Sequence, residues 1–361
     1  MPTPWQRDLA HDRERLADWL ATRLPSTSDL CLSELRAPQN SGFSNDTLLF
    51  EVEYARGSRT HRESLVARIQ PTGFQIFPDY DMGLQFKTLE LLSRTDVPVP
   101  RARWLEARDV SVLGAPFYVM DQVRGRVPPD NPPYHITGWV TEIAPEEREA
   151  LWWSGIECMA RIHRLDWRAA GFGFLDRPDR GATALEQQLA YYQDYLRWAA
   201  DGREQPTVEA ALEWLLARRP TSEPTVLSWG DARIGNILFD GTKAVAVLDW
   251  EMVGLGAPEM DLAWQIFLDK HHSAGMGQPR LAGFPSYEAT AQRYQELTGF
   301  EPRHLHYYEV FAGFRFAVIM LRIAQQCLQY GVMDEATSRA FERNNTVTRL
   351  LARLLDLPDP S

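Results

Sequence analysis

The strongest constraint on the fold is an abrupt change of pattern along the chain. Up to about residue 121, short apolar runs of strand length alternate with turn signals, whereas long segments of helical periodicity dominate after Pro145. Residues 128–133, between the two regions, include four prolines, which is typical of a loop. The pattern predicts an α+β chain with a strand-rich lobe at 1–121 and a mostly helical lobe at 122–361.

The first lobe is predicted to contain five antiparallel strands, with one helix inserted between the third and the fourth. Turn residues such as Ala55-Arg56-Gly57-Ser58 separate successive runs, as in β-hairpins. The inserted helix is predicted over Asp81–Arg94, where Asp81 can cap the first turn, and an amphipathic helix is predicted over Trp5–Leu24. The predicted strands are Leu30–Leu35, Thr47–Tyr54, Leu65–Gln70, Arg101–Leu105 and Pro116–Val123.

The second lobe is predicted to be helical, with one interruption. Three short apolar runs surround a Gly-Asp-rich loop and the turn Asp240-Gly241, which predicts a small β-hairpin framed by helices. The three runs are Val226–Leu227, Asn236–Phe239 and Val245–Leu248. The predicted helices are 146–166, 183–200, 207–218, 258–270, 286–298 and 305–330.

Composition and charge argue against several classes of function. Of the 361 residues, 44% are hydrophobic, which is enough to bury a sizeable core. The net charge of −11 argues against nucleic acid or a membrane surface as partner, since both attract a basic face. The chain has no run of 18 apolar residues, so no membrane-spanning helix is predicted. The first residues are charged and lack an apolar stretch, so no signal peptide is predicted. The three cysteines form no C-x-x-C pair, so we expect a cytoplasmic protein without disulfides.

Two aspartates and an asparagine in the second lobe carry the clearest chemical signal. Asp231 lies in the Gly-Asp-rich loop, Asn236 follows five residues later, and Asp249 comes beyond the predicted hairpin. A loop carboxylate can accept the proton of an attacking hydroxyl, and carboxylate and amide oxygens are hard ligands suited to Mg²⁺. An Asp-x4-Asn loop followed by a metal-binding Asp is the arrangement that protein kinases use for phosphoryl transfer.

These motifs resemble those of the aminoglycoside phosphotransferase family, the APH or choline-kinase-like branch of the kinase superfamily. The family's loop, roughly H-G-D-x4-N, is similar to residues 229–236, except that Trp229 stands where the family usually has His. The resemblance implies a bilobal protein-kinase-like fold and transfer of the γ-phosphoryl group of ATP to a hydroxyl of a small molecule. It also implies that Asp231 is the catalytic base and that Asn236 and Asp249 bind Mg²⁺.

The same resemblance implies that the first lobe binds ATP. Residues 42–47, Gly-Phe-Ser-Asn-Asp-Thr, resemble the family's phosphate-covering loop, in which Ser44, Asn45 and Thr47 would contact the nucleotide. Arg68 stands where the family has a phosphate-binding Lys or Arg, and an arginine there can bind two phosphate oxygens.

Three further positions are assigned by the resemblance. Gln85 replaces the Glu that usually pairs with the strand cation, and it can offer a hydrogen bond but no ion pair. Backbone groups of Asp121 and Val123, at the end of the last strand of the first lobe, would meet the adenine edge. Downstream, Gly256–Trp264 resembles the family's G-x-P-x-x-D-L-A segment, in which Asp261 would open a helix and brace the catalytic loop.

The acceptor is the least determined part of the prediction. Residues 301–316 hold two acids against two arginines, two histidines and five aromatics, which suits an acceptor with an apolar body better than a polycation. With residues 283–287, this segment resembles the branch fused to acyl-CoA dehydrogenases, so we expect a hydroxy acid or hydroxyacyl thioester. The net charge of −11 instead favours a true aminoglycoside-modifying kinase conferring antibiotic resistance, as do acids that could face the cleft: Glu186, Asp194, Asp201 and Glu204.

Two other classes of function remain as alternatives. A nucleotide-binding pseudokinase without turnover is favoured by the departures at Trp229 and Gln85, and opposed by the intact Asp231, Asn236 and Asp249. A metal hydrolase would use pairs such as His271-His272, but the histidine spacings fit no compact ligand set.

Overall fold

The computed structural model describes residues 7–38 and 45–360, and the chain divides into two compact units. The first unit extends to Arg94 and includes Val99–Arg124. The second unit consists of Thr95–Pro98 and all residues from Gly125 onward. The predicted α+β class, with a five-stranded antiparallel sheet followed by a mostly helical remainder, is confirmed.

The described residues of the first unit form one sheet and two helices. Its strands lie in the order β1-β2-β3-β5-β4, and each neighbouring pair is antiparallel. The predicted chain order β-β-β-α-β-β is confirmed. The bounds are α1 Leu9–Arg23, β1 Ser28–Leu32, β2 Asp46–Arg56, β3 Arg59–Ile69, α2 Met82–Leu92, β4 Ala102–Glu106 and β5 Phe117–Asp121.

Strand β2 illustrates why the sequence forms this sheet. Alternate side chains are buried, from Leu48 to Tyr54, so one face of the strand joins the core and the other does not. The β2–β3 turn places Gly57 at a φ of +61°, a conformation that glycine adopts without the strain of a Cβ atom. Helix α1 contributes Leu16 and Leu20 to the same core.

Helix α2 begins as predicted. The side chain of Asp81 accepts a hydrogen bond from the backbone N–H of Leu84 at 2.9 Å, so the predicted N-cap is confirmed. Its buried face includes Gln85, Thr88 and Leu89. The polar side chain of Gln85 is therefore held inside this unit.

The second unit is built around helices α7 and α9, whose contact is the most extensive between helices among the described residues. The helices are α3 Trp139–Glu142, α4 Pro145–His163, α5 Ala184–Ala200, α6 Pro206–Ala217, α7 Pro258–His272, α8 Tyr287–Thr298, α9 Leu305–Gln329, α10 Glu335–Arg343 and α11 Thr346–Leu354. The strands are β6 Val226–Ser228, β7 Ile237–Asp240, β8 Lys243–Val247 and β9 Gly254–Gly256. The sequence pattern missed α3, α10 and α11.

The predicted hairpin needs one correction. Strands β7 and β8 form it, around the turn at Asp240 and Gly241. The first of the three apolar runs, now β6, pairs instead with β9. Strand β9 has only three residues, two of them glycine, so apolar periodicity could not reveal it.

Helix α9 is long and apolar enough to cross a membrane by length and composition. However, 67% of its most apolar window is buried inside the protein, and the core helix of a globular protein passes the same test. Most of the predicted aromatic run on this helix lies in the core, where Tyr308, Phe311 and Phe314 are almost inaccessible. Cys31, Cys158 and Cys327 are free thiols.

Candidate active site

The loop that carries Asp231 is anchored by Asp261, in the first turn of α7. One carboxylate oxygen of Asp261 accepts hydrogen bonds from the Ser228 hydroxyl at 2.8 Å and from the Gly230 N–H at 3.0 Å. The other oxygen accepts from the Trp229 N–H at 2.7 Å and lies 3.0 Å from Nε2 of His163. Burial alone would raise the pKa of Asp261, but the bonds and charge from His163 and its other donors lower it. The predicted bracing role of Asp261 is confirmed.

Gly230 allows this loop to approach the chain that follows Asp249. Its φ is +92°, and a Cβ atom on Gly230 would lie 2.0 Å from the carbonyl oxygen of Met252. No side chain fits in that space, and the backbone conformation itself disfavours residues other than glycine. The close approach of the two loops therefore depends on Gly230.

The carboxylate of Asp231 is held by three side chains. The indole N–H of Trp264 donates to one oxygen at 2.8 Å, and the amide nitrogen of Asn236 donates to the other at 2.6 Å. Nε of Arg233 lies 3.1 Å from both oxygens. Because three side chains donate to its two oxygens, the carboxylate is held in place by the protein itself.

Asn236 and Asp249 are brought together by the hairpin. Strands β7 and β8 pair so that the residues flanking them face each other, and the Leu248 N–H donates to the Asn236 carbonyl oxygen at 2.8 Å. The indole N–H of Trp229 donates to the carbonyl oxygens of Leu248, at 2.8 Å, and Asp249, at 3.2 Å. Asp249 itself has a φ of +60°, in the left-handed region.

The hydrogen bonds of Asn236 determine which of its side-chain atoms is available to bind a cation. Its amide nitrogen donates to a carboxylate oxygen of Asp231 and, at 3.1 Å, to the Asp231 carbonyl oxygen. The amide oxygen is consequently the atom that Asn236 would offer to a cation.

Arg233 links Asp231 to a second carboxylate, that of Asp130 in the proline-rich loop. Burial would lower the pKa of Arg233, but the two carboxylates outweigh it and raise the pKa above the usual value. A Cβ atom on Gly235 would lie 2.4 Å from Asp130 and 2.6 Å from the Arg233 guanidinium. The absence of a side chain at Gly235 thus makes room for this ion pair.

An aromatic and imidazole surface lies beside Trp264. Phe316, on α9, has its ring 5.8 Å from that of Trp264 and 5.1 Å from that of His271. Burial lowers the pKa of His271 and of His272 to about 3, so both imidazoles are neutral at pH 7. In the described parts of the chain, no group of three or more His, Cys, Asp or Glu is arranged to hold a metal ion.

A buried carboxylate, Asp269 near the end of α7, organises the neighbouring segments. It accepts hydrogen bonds from the hydroxyls of Tyr134, at 2.7 Å, and Tyr287, at 2.9 Å, and from Nε of Arg280, at 2.5 Å. Nε2 of His135 lies 2.9 Å away. Burial would raise the pKa of Asp269, but these partners, His135 and Arg280 foremost, hold it at about 2.

In the first unit, the strand pairing surrounds Arg68 with candidate nucleotide contacts. Arg68 lies opposite Thr47 on β2 and opposite Tyr118 on β5. Its guanidinium donates to the Thr47 hydroxyl at 3.4 Å. The Tyr118 hydroxyl donates to the amide oxygen of Gln85 at 3.4 Å. The structure therefore brings Thr47, Arg68 and Gln85 into one neighbourhood of this unit.

The other predicted nucleotide contacts are more dispersed. Asn45 is buried immediately before β2, whereas Ser44 lies outside the described residues. Asp121 ends β5 and forms an ion pair with Arg103 at 2.8 Å. Val123 follows β5 and is partly exposed.

Sequence reasoning missed four side chains that shape the site: Asp130, Arg233, Trp264 and Arg315. Arg233 could have been noticed as a cation inside the Asp-x4-Asn loop, and Trp264 lies at the end of the segment recognised around Asp261. Nothing in the local pattern points to Asp130 or Arg315, which are distant in sequence and reach the loop through the fold.

Comparison with known proteins gives a consistent result. A sequence profile of the APH family, described as a phosphotransferase enzyme family, matches residues 36–297. Acyl-CoA dehydrogenase family member 10 of Mus musculus is 27% identical over 303 residues, which cover 80% of this chain and 27% of that protein. The chain spans between 26% and 43% of the length of the curated relatives compared, which are all described as acyl-CoA dehydrogenases.

Solved structures share the fold. A protein of Ralstonia eutropha, provisionally assigned as an aminoglycoside phosphotransferase, superposes with a TM-score of 0.67 at 23% identity, covering 94% of this chain and 96% of that chain. An aminoglycoside phosphotransferase in ternary complex with streptomycin and ATP superposes with a TM-score of 0.51 at 12% identity, covering 91% and 97% respectively. Since the profile matches well over half of the chain, the protein belongs to the APH family of phosphotransferase enzymes.

Proposed function

We propose that the protein transfers the γ-phosphoryl group of ATP to a hydroxyl of a small molecule, with Asp231 as catalytic base. One observation carries this proposal: the Asp231 carboxylate is fixed by Asn236, Trp264 and Arg233 on a loop that is tied to Asp249. A fixed carboxylate beside two further oxygen ligands is what hydroxyl phosphorylation needs.

Asp231 would orient the acceptor hydroxyl and take its proton. Neutral donors and one guanidinium surround the carboxylate, and the charge of Arg233 is shared with Asp130. Since both oxygens of Asp231 already have donors, the hydroxyl would add to a preorganised group and little reorganisation would be required.

The side-chain oxygens of Asn236 and Asp249 have the chemistry that a magnesium site requires. An amide oxygen and a carboxylate are hard ligands, and Mg²⁺ in phosphotransferases typically takes one or two protein ligands together with phosphate oxygens. When bound, Mg²⁺ supplies charge neutralisation at the phosphates. The hairpin and the Trp229 indole hold the backbone on which the two ligands lie.

We propose the first unit as the ATP-binding unit. Thr47 and Arg68 would contact the phosphates, and Gln85 would keep the neighbouring Tyr118 side chain in place. Ser44 and Asn45 would complete the phosphate loop, and the backbone near Asp121 and Val123 would meet the adenine. The aminoglycoside phosphotransferase solved in ternary complex with streptomycin and ATP has the same fold, which supports ATP as the nucleotide of this protein.

For the acceptor, we favour a hydroxy acid or hydroxyacyl thioester over an aminoglycoside. A polycation needs carboxylates, yet two buried or half-buried carboxylates of the second unit already have cationic partners: Asp130 pairs with Arg233, and Asp269 with Arg280. The surface beside Trp264 is formed by Phe316 and a neutral His271, which suits an apolar body. Acyl-CoA dehydrogenase relatives point to acyl substrates as well.

Two of the acids named as favouring an aminoglycoside, Asp194 and Glu186, have partners of their own. Asp194 pairs with Arg180, at 3.2 Å, and with Arg197, at 2.9 Å. Glu186 caps the start of α5 by accepting from the backbone N–H of Thr183 at 3.0 Å. Both carboxylates therefore already interact with groups in or near α5, which makes them less suited to bind a polycationic acceptor.

Asp231→Asn tests the proposal most directly. ADP release from Mg·ATP should fall by about three orders of magnitude or more, because the amide cannot accept the proton, while ATP affinity is retained. Asp240→Asn, in the exposed hairpin turn, is the matched control and should behave as the parent. Near-parental turnover in Asp231→Asn would remove the assignment of the base.

Acceptor class is tested separately. Purified protein with Mg·ATP would be offered 3-hydroxy and 4-hydroxy acids, their CoA thioesters and kanamycin, with ADP release as the readout. Higher kcat/KM for the acyl compounds is expected. Efficient kanamycin phosphorylation, above about 10⁴ M⁻¹s⁻¹, would assign an aminoglycoside kinase and leave the base assignment intact.

A further inference from the structure

Arg315, on α9, is a buried cation without a carboxylate partner among the described residues. It is 1% exposed, and its Nε and Nη1 atoms have no hydrogen-bond partner within the described parts of the chain. Burying such donors without partners destabilises a fold, and replacing a buried charge by an apolar group is often neutral or stabilising. A compensating role in function would explain why an arginine occupies this position.

The contacts of Arg315 converge on Asp231 from two sides. Its Nη2 donates to the carbonyl oxygen of Gly230, the residue before Asp231, at 2.9 Å. Its guanidinium carbon lies 4.6 Å from the ring centre of Trp264, whose N–H donates to the Asp231 carboxylate. Tyr192 lies at 5.0 Å from the same carbon and completes the aromatic enclosure.

A cation over an indole ring has a chemical effect on the N–H group. It draws electron density from the ring, so the N–H becomes a stronger hydrogen-bond donor, and it holds the ring in one orientation. Both effects favour the bond from Trp264 to Asp231. The bond to Gly230 fixes the backbone from which the Asp231 side chain projects.

We propose that Arg315 is a positioning residue for the base, acting through the Trp264 indole and the Gly230 carbonyl. The proposal rests on the proposed function in that Asp231 is taken as the base. It makes a prediction that a packing role does not: loss of Arg315 should weaken the Trp264–Asp231 bond while leaving the fold as stable as before, or more stable.

The first experiment does not depend on activity. The Trp264 indole N–H signal would be assigned in a ¹⁵N-labelled protein by its loss in Trp264→Phe, and its hydrogen exchange compared in the parent and Arg315→Met. Exchange should accelerate about tenfold or more in the variant. Arg322→Met is the matched control, since Arg322 lies on the same helix and stacks on Trp198 at 4.0 Å. Unchanged exchange in Arg315→Met would overturn the proposal.

The second experiment uses ADP release from Mg·ATP, with water as the acceptor. Arg315→Met should lower kcat at an unchanged KM for ATP and an unchanged or raised melting temperature, and Arg315→Lys should recover part of kcat. If Arg315→Met unfolds, the proposal is wrong about stability; if its exchange accelerates but kcat is kept, it is wrong about positioning. An unaffected kcat in Asp231→Asn would instead refute the base assignment, independently of the exchange result.

Discussion

The indole N–H of Trp229 donates a hydrogen bond to the backbone carbonyl oxygen of Leu248, 2.8 Å away. The same N–H lies 3.2 Å from the carbonyl oxygen of Asp249. Trp229 stands two residues before Asp231, so one side chain connects the backbone of the proposed base to that of a proposed magnesium ligand. The replacement of the family's usual His thus leaves a hydrogen-bond donor in place.

Trp229→Phe should weaken binding of Mg·ATP by roughly 3- to 30-fold. The variant lacks the indole N–H, so the carbonyl oxygens of Leu248 and Asp249 lose their hydrogen-bond donor and the backbone of the proposed magnesium ligand is held less firmly. Trp229→His should recover part of the affinity, since an imidazole N–H can donate to the same oxygens. Isothermal titration calorimetry measures both. Parental affinity in Trp229→Phe would show that the bond does not hold Asp249.

Arg68→Ala should raise the KM for ATP by about tenfold or more while changing the acceptor KM little, because a guanidinium–phosphate contact is a charge-assisted bond. Arg62→Ala, at an exposed position of the same strand paired with Glu51, is the control and should keep the parental KM. An equal rise of the KM in both variants would show that Arg68 acts only through its positive charge and makes no specific phosphate contact. Gln85→Glu should lower the KM for ATP, because a carboxylate at this position adds an ion pair with Arg68.

Gly230→Ala should abolish activity and destabilise the protein by several kcal/mol, since the added Cβ meets the Met252 carbonyl oxygen at 2.0 Å. Gly241→Ala isolates the contribution of the clash: Gly241 also has a positive φ, +58°, but open space around its Cβ position. It should cost only about 1 to 2 kcal/mol. Thermal unfolding compares the two, and equal losses would contradict the close approach of the loops.

Asp269 should make the stability pH-dependent in acid. Its pKa is about 2 in the folded protein, below the ordinary value of 3.8, so its contribution is present above about pH 4 and is lost as the pH falls toward 2. The contribution corresponds to roughly 2 kcal/mol. Urea unfolding of the parent and of Asp269→Asn between pH 2 and 7 measures it. The variant should be less stable at pH 7 and the difference should shrink in acid; a constant difference would contradict this origin.

The sequence predicted those features that depend on local pattern. Alternation of apolar residues gives β2, a capping aspartate gives the start of α2, and the spacing of Asp231 and Asn236 gives the loop. The bracing role of Asp261 followed from the resemblance of its segment to the family's G-x-P-x-x-D-L-A motif.

Features that depend on distant packing were not predictable in this way. Asp130 reaches Arg233 across 103 positions, and Arg315 reaches Gly230 across 85. Neither contact has a periodicity or a turn signal, because the meeting point is created only when α7, α9 and the proline-rich loop pack. A three-residue strand rich in glycine, β9, escapes detection for a different reason, since it has almost no apolar pattern.

The segment Thr95–Pro98 has a consequence for any attempt to divide this protein. It lies in sequence between α2 and β4 of the first unit, yet it belongs to the second, where the carbonyl oxygen of Pro98 accepts the Val247 N–H at 2.8 Å. A gene cut once at codon 125 would therefore encode a helical fragment whose hairpin lacks a native acceptor. Independent expression of that fragment would require these four residues to be supplied again, for example by fusing them through a short linker ahead of Gly125.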